Sequence, residues 1–350
     1  MDIISLIEKD EWTNLLDRFS KEKSDIYFLS DYTFLHSTLE NGISKCIKFE
    51  NSEGIAIYPY LERNIPLILT DGKEMKDIIT PYGYGGPIST TYSPSFVERF
   101  NNAIDQYFLD MGYISEFIRF HPVLENHRLR NCDVVFIHKT FGVDFSKRDV
   151  SSLDFWKDSL KRGVKKAEKF GLQFEMNVLN GENLKDFIEI YILTMERKKA
   201  LNFYFFNDRY WNLLLELSKR NNVFITNILY KKEKIASAIF LSWKGFYIHY
   251  HLGGSKAEYL HMRPVNYLFW NIEKWTANNN FSLLHLGGGV ESGDGLERFK
   301  FSISNKHFDF YIGRKILNMN FYLKLNIKAT KLSKEKFNVN FFPAYRSIFR

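Results

Sequence analysis

Cysteine is nearly absent. Only Cys46 and Cys132 occur among 350 residues, which argues against a disulfide-stapled secreted scaffold. No Cys-x-x-Cys pair suggests a zinc site. Long apolar runs are missing too, and no stretch approaches the roughly 20 residues that cross a bilayer. The opening MDIISLIEKDEW places acids where a secretory leader needs basic residues, and its apolar run is short. Together these absences predict a cytoplasmic protein.

Aromatics are abundant. With 33 Phe and 20 Tyr, large rings must supply much of the buried area; they suit packed β-rich layers and can also wall an apolar or sugar-binding groove. A chain of this length exceeds what one core usually holds, so two domains are expected. The net charge of +7 favours anionic partners such as phosphates, anionic headgroups or nucleic acid. Part of the excess lies at one end, where Lys324, Lys328, Lys331, Lys334, Lys336, Arg346 and Arg350 interleave with Phe337, Phe341, Phe342, Tyr345 and Phe349. Such an end either rests on the inner face of a membrane or packs back on the body.

Periodicity divides the chain into two similar halves. The first opens with a helical pattern over residues 4–19, then strands at 44–50 and 54–62. The loop Thr80-Pro81-Tyr82-Gly83-Tyr84-Gly85-Gly86-Pro87, a helix at 94–111 and a strand at 113–120 follow. The second repeats that order with strands at 223–230, 235–243 and 246–251, a glycine-bearing loop, a helix at 264–278 and a strand at 282–286. A duplicated α/β unit is implied, each copy with a mixed sheet. The polar stretch 145–159 reads as the boundary. It leads into a basic helix in which Lys157, Lys161, Lys165 and Lys169 recur every fourth residue beside Arg162 and Lys166, putting cations on one broad face.

The residues that can carry chemistry are scattered. Gly287, Gly288 and Gly289 follow an apolar strand and permit close approach by a ligand or by another strand, but match neither a P-loop nor a dinucleotide fingerprint. They precede Asp294 and the run Glu297-Arg298-Phe299-Lys300. His249 and His251 lie two apart on one strand and so point to one face; either can serve as a base, as can His285 and Asp294. No third and fourth ligand accompany the histidines, so no metal is expected. Tyr82 and Tyr84, set among Gly83, Gly85 and Gly86, can stack on a sugar or peptide stem, and Tyr204 can line the same groove.

The run LHLGGGVESGDGLERFKFSIS resembles the C-terminal signature of FemABX-like proteins, a branch of the GNAT superfamily. TPYGYGGP at 80–87, SLKRGVKKAEKFGLQF at 159–174, YILTMERKKALNFYFF at 191–206 and HYHLGGS at 249–255 resemble further family segments, in family order. The resemblance implies an α/β (α+β) fold of two tandem GNAT-like domains, each a mixed β-sheet flanked by helices, with an active groove in or beside the cleft between them. The expected divisions are 1–148, 149–320 and a basic aromatic tail at 321–350. No sustained heptad appears, so the coiled-coil arm of some members is not expected.

What the resemblance implies for function is acyl transfer onto an amine, with no cofactor. Its best-known members move amino acids from aminoacyl-tRNA to the peptide of peptidoglycan precursors; others are presumed N-acyltransferases in surface polysaccharide synthesis. Lys300 matches the Phe-Lys lysine of the family, and its ammonium would stabilise the oxyanion of a tetrahedral intermediate. Arg197, Arg162 and Lys166 would bind substrate phosphates. The donor is aminoacyl-tRNA or acyl-CoA, and the acceptor a phosphate-bearing glycan or lipid-linked precursor. Residues 256–264 hold no glycine where acyl-CoA enzymes of the superfamily cradle pyrophosphate, which favours the tRNA ester. A non-catalytic nucleic-acid or membrane-binding protein would account for the charge but not for the glycine motifs.

Overall fold

The computed structural model describes residues 2–220, 222–289 and 293–349. The chain runs β1 (Ile3–Leu6), α1 (Lys9–Leu16), α2 (Ser30–Glu40), β2 (Ile43–Asn51), β3 (Gly54–Asn64), α3 (Leu67–Thr70), β4 (Lys76–Ile79), β5 (Ile88–Ser89), α4 (Pro94–Asp110), β6 (Tyr113–Arg119) and β7 (Asp133–Asp144). It continues through α5 (Asp158–Lys169), β8 (Gln173–Val178), α6 (Gly181–Arg197), α7 (Asp208–Ser218), β9 (Val223–Tyr230) and β10 (Glu233–Trp243). The last elements are β11 (Tyr247–Ser255), α8 (Pro264–Asn278), β12 (Leu283–Gly287), α9 (Gly295–Ile303), β13 (Lys306–Ile316) and α10 (Met319–Leu332). Two units result, one of residues 1–137 with 309–350 and one of residues 138–308.

The first unit carries the strand order β1-β2-β3-β4-β6-β13, with β5 on β3. Its pairs are antiparallel except β4 with β6, which are parallel and joined by a crossover containing α4. Ser93 caps α4 by accepting the Phe96 amide, and Pro94 sits where no N–H partner is needed. Phe96, Phe100, Ile104 and Phe108 recur every fourth residue and bury completely against Phe49, Tyr58, Tyr60 and Tyr113.

The second unit repeats the pattern as β8-β9-β10-β11-β12-β7. Again one pair is parallel, β11 with β12, and again a helix, α8, bridges it. Leu268, Phe269 and Ile272 of α8 pack with Phe141, Phe240, Ile248 and Leu284. The duplicated mixed-sheet architecture read from the sequence is therefore present, with the strands at 223–230 and the helix at 264–278 at their expected bounds. Among the described residues the longest helices, α4 and α6, have 17 residues each and bury one face, so neither forms a projecting arm.

The ends of the units depart from expectation. β7 follows the first pattern in sequence but pairs with β12 of the second unit, whereas β13, from the far end, pairs with β6 of the first. The division therefore falls at residues 137/138 and 308/309 rather than at 148/149 and 320/321. The stretch 145–159 is no linker. Arg148 donates to Ile303 O at 2.7 Å and to the buried Glu273 carboxylate at 2.8 Å, and the Trp156 indole donates to the same carboxylate at 3.1 Å. The helical pattern at 4–19 also resolves differently. Ile3 to Leu6 pair with Ile47 to Glu50, and only then does α1 begin.

Of the two readings for this end, packing back on the body holds for residues 321–349. Tyr322, Leu325 and Ala329 of α10 pack with Ile65, Leu69, Ile114 and Tyr345. The Tyr345 hydroxyl donates to Asp77 at 2.8 Å, and Arg346 reaches the same carboxylate and Asn64 O. Burial alone would raise the Asp77 carboxyl, but Arg63 and Arg346 outweigh it and hold it below its usual range. Tyr345→Ala should lower stability by about 3–5 kcal/mol in urea unfolding, as large-to-small changes in cores do; a solvated end would leave the curve unchanged.

Candidate active site

The second unit builds its most unusual polar feature where β12 ends. After His285 the pairing of β12 with β7 slips by one residue, so that Gly287 faces Phe141. Slips of this kind bend a strand and re-aim the backbone. A Cβ on Gly288 would lie 2.4 Å from the His138 ring, so only glycine lets the turn pass this close. Gly287, Gly288 and Gly289 are half-buried; residues 290–292 of the motif lie outside the described residues. Asp294 caps α9 by accepting the Glu297 amide at 2.6 Å, and the Glu297 carboxylate accepts the Gly293 amide in return.

Lys300 sits on the inner face of α9, one turn before Ile303, and is 5% exposed. Its ammonium donates to Gly288 O at 2.6 Å and stands 5.5 Å from the centre of the Tyr250 ring. Burial pushes this amine down to about 7, against the pull of Asp294 and with a smaller push from Lys198. Tyr250, which sequence reasoning did not single out, packs against Phe269 and Phe240 and supplies the ring beneath the amine. Its only signal in the sequence is its place between two histidines.

The histidines form a separate group. His249 and His285 are register partners on the parallel pair β11 and β12, and their Nδ1 atoms lie 3.2 Å apart. His285 Nε2 is 3.0 Å from Thr140 Oγ1. Both rings are fully buried, so one Nδ1 carries the shared hydrogen while the other accepts it. His251 lies at a slip in the pairing of β11 with β10, and its Nε2 meets the Tyr210 hydroxyl at 2.7 Å. Burial, with His249 adding to it, lowers His251 to about 4, so it is neutral near pH 7. The structure thus joins Lys300, Asp294 and the glycine turn, and joins His249 with His285.

Two of the residues expected at the groove, Arg197 and Tyr204, also make contacts within the fold. Arg197 donates to Ser255 O at 2.7 Å, and Thr194 exchanges hydrogen bonds with the same residue, tying α6 to the end of β11. The Tyr191 hydroxyl donates to Tyr204 O at 3.0 Å, while the Tyr204 ring is half-buried against Phe203. Arg162 and Lys166 do project outward: α5 buries Gly163, Val164 and Ala167 and exposes Arg162, Lys165, Lys166 and Lys169. Among the described residues no carboxylate pairs with these four, so the basic face is real.

The Tyr-Gly loop belongs to the first unit. Tyr82 O accepts the Tyr32 hydroxyl at 2.9 Å, and Asn126 donates to Gly85 O and Pro87 O. Gly86 has φ +88 and leaves its hypothetical Cβ 3.1 Å from Ile118 and Phe120. Tyr84 meets Tyr27, His121 and Phe310 edge-on at 5.1–5.6 Å, and its hydroxyl is raised by burial. His121 is buried and bonded to Asp25 at 3.1 Å, a pair that nothing in the sequence spacing announced.

Residues 157–300, which open one residue before α5 and close on Lys300, match the family model described as acetyltransferase (GNAT) domain. In structure the chain is similar to FemX, at 13% identity and TM-score 0.69 over 92% of this chain and 99% of that one. It is also similar to the C-terminal domain of a putative lysylphosphatidylglycerol synthetase from Agrobacterium fabrum, at 13% identity and TM-score 0.58 over 92% and 95%. A third likeness is to L-PGS from Bacillus licheniformis, at 15% identity and TM-score 0.56 over 93% and 96%. No curated protein matches the sequence. Residues 157–300 thus match an acetyltransferase (GNAT) domain that closes on the buried lysine, and the chain shares its fold with FemX.

Proposed function

We propose that the chain transfers an aminoacyl group from an activated ester to an amine of a cell-envelope precursor, forming an amide. The observation that carries this is the Lys300 amine, buried beneath the glycine turn with a pKa near neutrality. Two further facts support the substrate class. The FemX likeness spans nearly the whole chain, and another similar structure is named a putative lysylphosphatidylglycerol synthetase.

In the proposed step the acceptor nitrogen attacks the ester carbonyl, a C–N bond forms and the carbonyl electron pair moves onto oxygen. The Lys300 ammonium stabilises that oxyanion and passes its proton to the departing alkoxide as the C–O bond breaks; the proton released by the amine restores it. A group with a pKa near the working pH performs such transfers most efficiently. Attack on an activated ester needs orientation and a deprotonated amine more than a dedicated base. The exposed cations Arg162 and Lys166 on α5 suit a phosphate-bearing substrate.

The GNAT match supports acyl-CoA as an alternative donor. Against it, the residues ahead of α8 form a 3-10 turn, Ala257–Met262, that ends on Arg263 at φ +64. Pro264, the first residue of α8, offers no N–H to a pyrophosphate. Incubation with aminoacyl-tRNA or acyl-CoA, followed by mass spectrometry of an amine-bearing envelope precursor, should show mass gain with the tRNA ester; gain with the thioester alone would reverse the assignment of donor.

Lys300→Met should reduce transfer roughly 10²–10³-fold, the loss typical of an oxyanion donor, with the circular dichroism spectrum retained. In the parent, turnover should fall as pH rises through about 7, where the ammonium is lost. Lys300→Arg should shift that limb to higher pH.

The same amine shapes stability. Its folded-state pKa lies below the unfolded value, so the unfolded chain binds the extra proton between the two and stability rises with pH across that window. The gain in Tm from Lys300→Met should therefore be larger at about pH 6 than at about pH 10; an equal gain at both would show that Lys300 is not held near neutrality.

A further inference from the structure

α10 is amphipathic in an unusual sense. One face is buried in the first unit through Tyr322, Leu325 and Ala329. The opposite side exposes a second apolar row, Met319, Leu323 and Ile327, spaced by four and each more than half exposed. Helical geometry sets Lys324 and Lys331 along one flank of that row, with Lys328 beyond them paired to Asp71. Among the described residues neither Lys324 nor Lys331 is ion-paired. The neighbouring helix α3 exposes Leu67 and Ile68 to a similar degree. Lys334 and Lys336 follow α10, with Glu335 the one acid between them.

We propose that this outer face of α10 docks the protein in the plane of an anionic lipid surface. The apolar row would enter the boundary between headgroups and acyl chains, while the flanking lysines meet the anionic headgroups. The charge pattern selects this occupant. In a twofold dimer through α10 the same patch would face itself, bringing lysines toward lysines. A nucleic acid would satisfy the lysines but would leave three large aliphatic side chains in water. Only a surface that is apolar below and negative above matches both rows.

The attachment of α10 makes the idea testable without unfolding the protein. Asn318 caps the helix by accepting the Phe321 amide, and the Tyr322 hydroxyl accepts the Ala344 amide; the exposed row takes no part in either. The inference stands apart from the proposed reaction, because binding is read with no donor or acceptor present.

The experiment is flotation of the full chain with phosphatidylcholine vesicles, plain or containing about a third phosphatidylglycerol. The chain should float with the anionic vesicles, weaken as salt rises, and stay behind with the neutral ones. Leu323→Asp/Ile327→Asp should reduce the bound fraction roughly tenfold or more while leaving the thermal melt unchanged. Lys324→Glu/Lys331→Glu should abolish the preference for phosphatidylglycerol. Equal flotation of the parent and the aspartate variant would overturn the proposal, as would no flotation with either vesicle. So would a parent dimer in size-exclusion light scattering that the aspartate variant dissolves without any vesicle binding, since a second copy would then be the occupant.

Discussion

The Lys300 amine reaches the carbonyl of Gly288 from inside an apolar helix face, and the second unit is arranged around making that contact tolerable. An ammonium taken out of water is costly unless it is bonded and partly neutralised. Here it gains one short hydrogen bond, the face of Tyr250 and the field of Asp294. Those compensations are incomplete, which leaves the amine near neutrality and able to hold or release a proton. Each supporting residue has a second duty. Asp294 caps the helix that carries Lys300, and Gly288 must be glycine to pass His138.

The rest of the sheet positions this contact. β11 is tied to α6 through Ser255, Thr194 and Arg197, while α8 presses Phe269 against Tyr250 from the core side. Arg197, which resembles a ligand-binding motif residue, also fixes the end of the strand that carries Tyr250. The His249–His285 pair bridges β11 and β12 with Thr140 as its third member. Buried and mutually bonded, it braces the parallel pair from which the glycine turn departs.

Much of the fold was legible because it depends on short-range pattern. The fourfold spacing of Phe96, Phe100, Ile104 and Phe108, the Ser93-Pro94 start and the Pro264 start each announce a helix within a few residues. The hairpins β2–β3 and β9–β10 show as strand runs on either side of a turn. β1 was not legible, because Ile3 to Leu6 become a strand only by meeting the open edge of β2. For residues 321–350 the sequence left two outcomes open, packing back on the body or resting on a membrane, and did not say which part of the chain would receive them. Their lysines suggest solvent, but the aromatics between them find Asp77, Ile65 and Ile114 far back in the chain.

By itself the sequence determined the duplicated α/β plan, the basic face of α5 and the glycine turn with its lysine, since each is written in residues that are neighbours along the chain. Only the tertiary structure decided that β7 and β13 change units, that Arg197 serves Ser255, and that Tyr250 lies beneath Lys300. Those outcomes turn on which sheet edge or ring is left open once distant segments have packed, and such vacancies arise from folding rather than from local order.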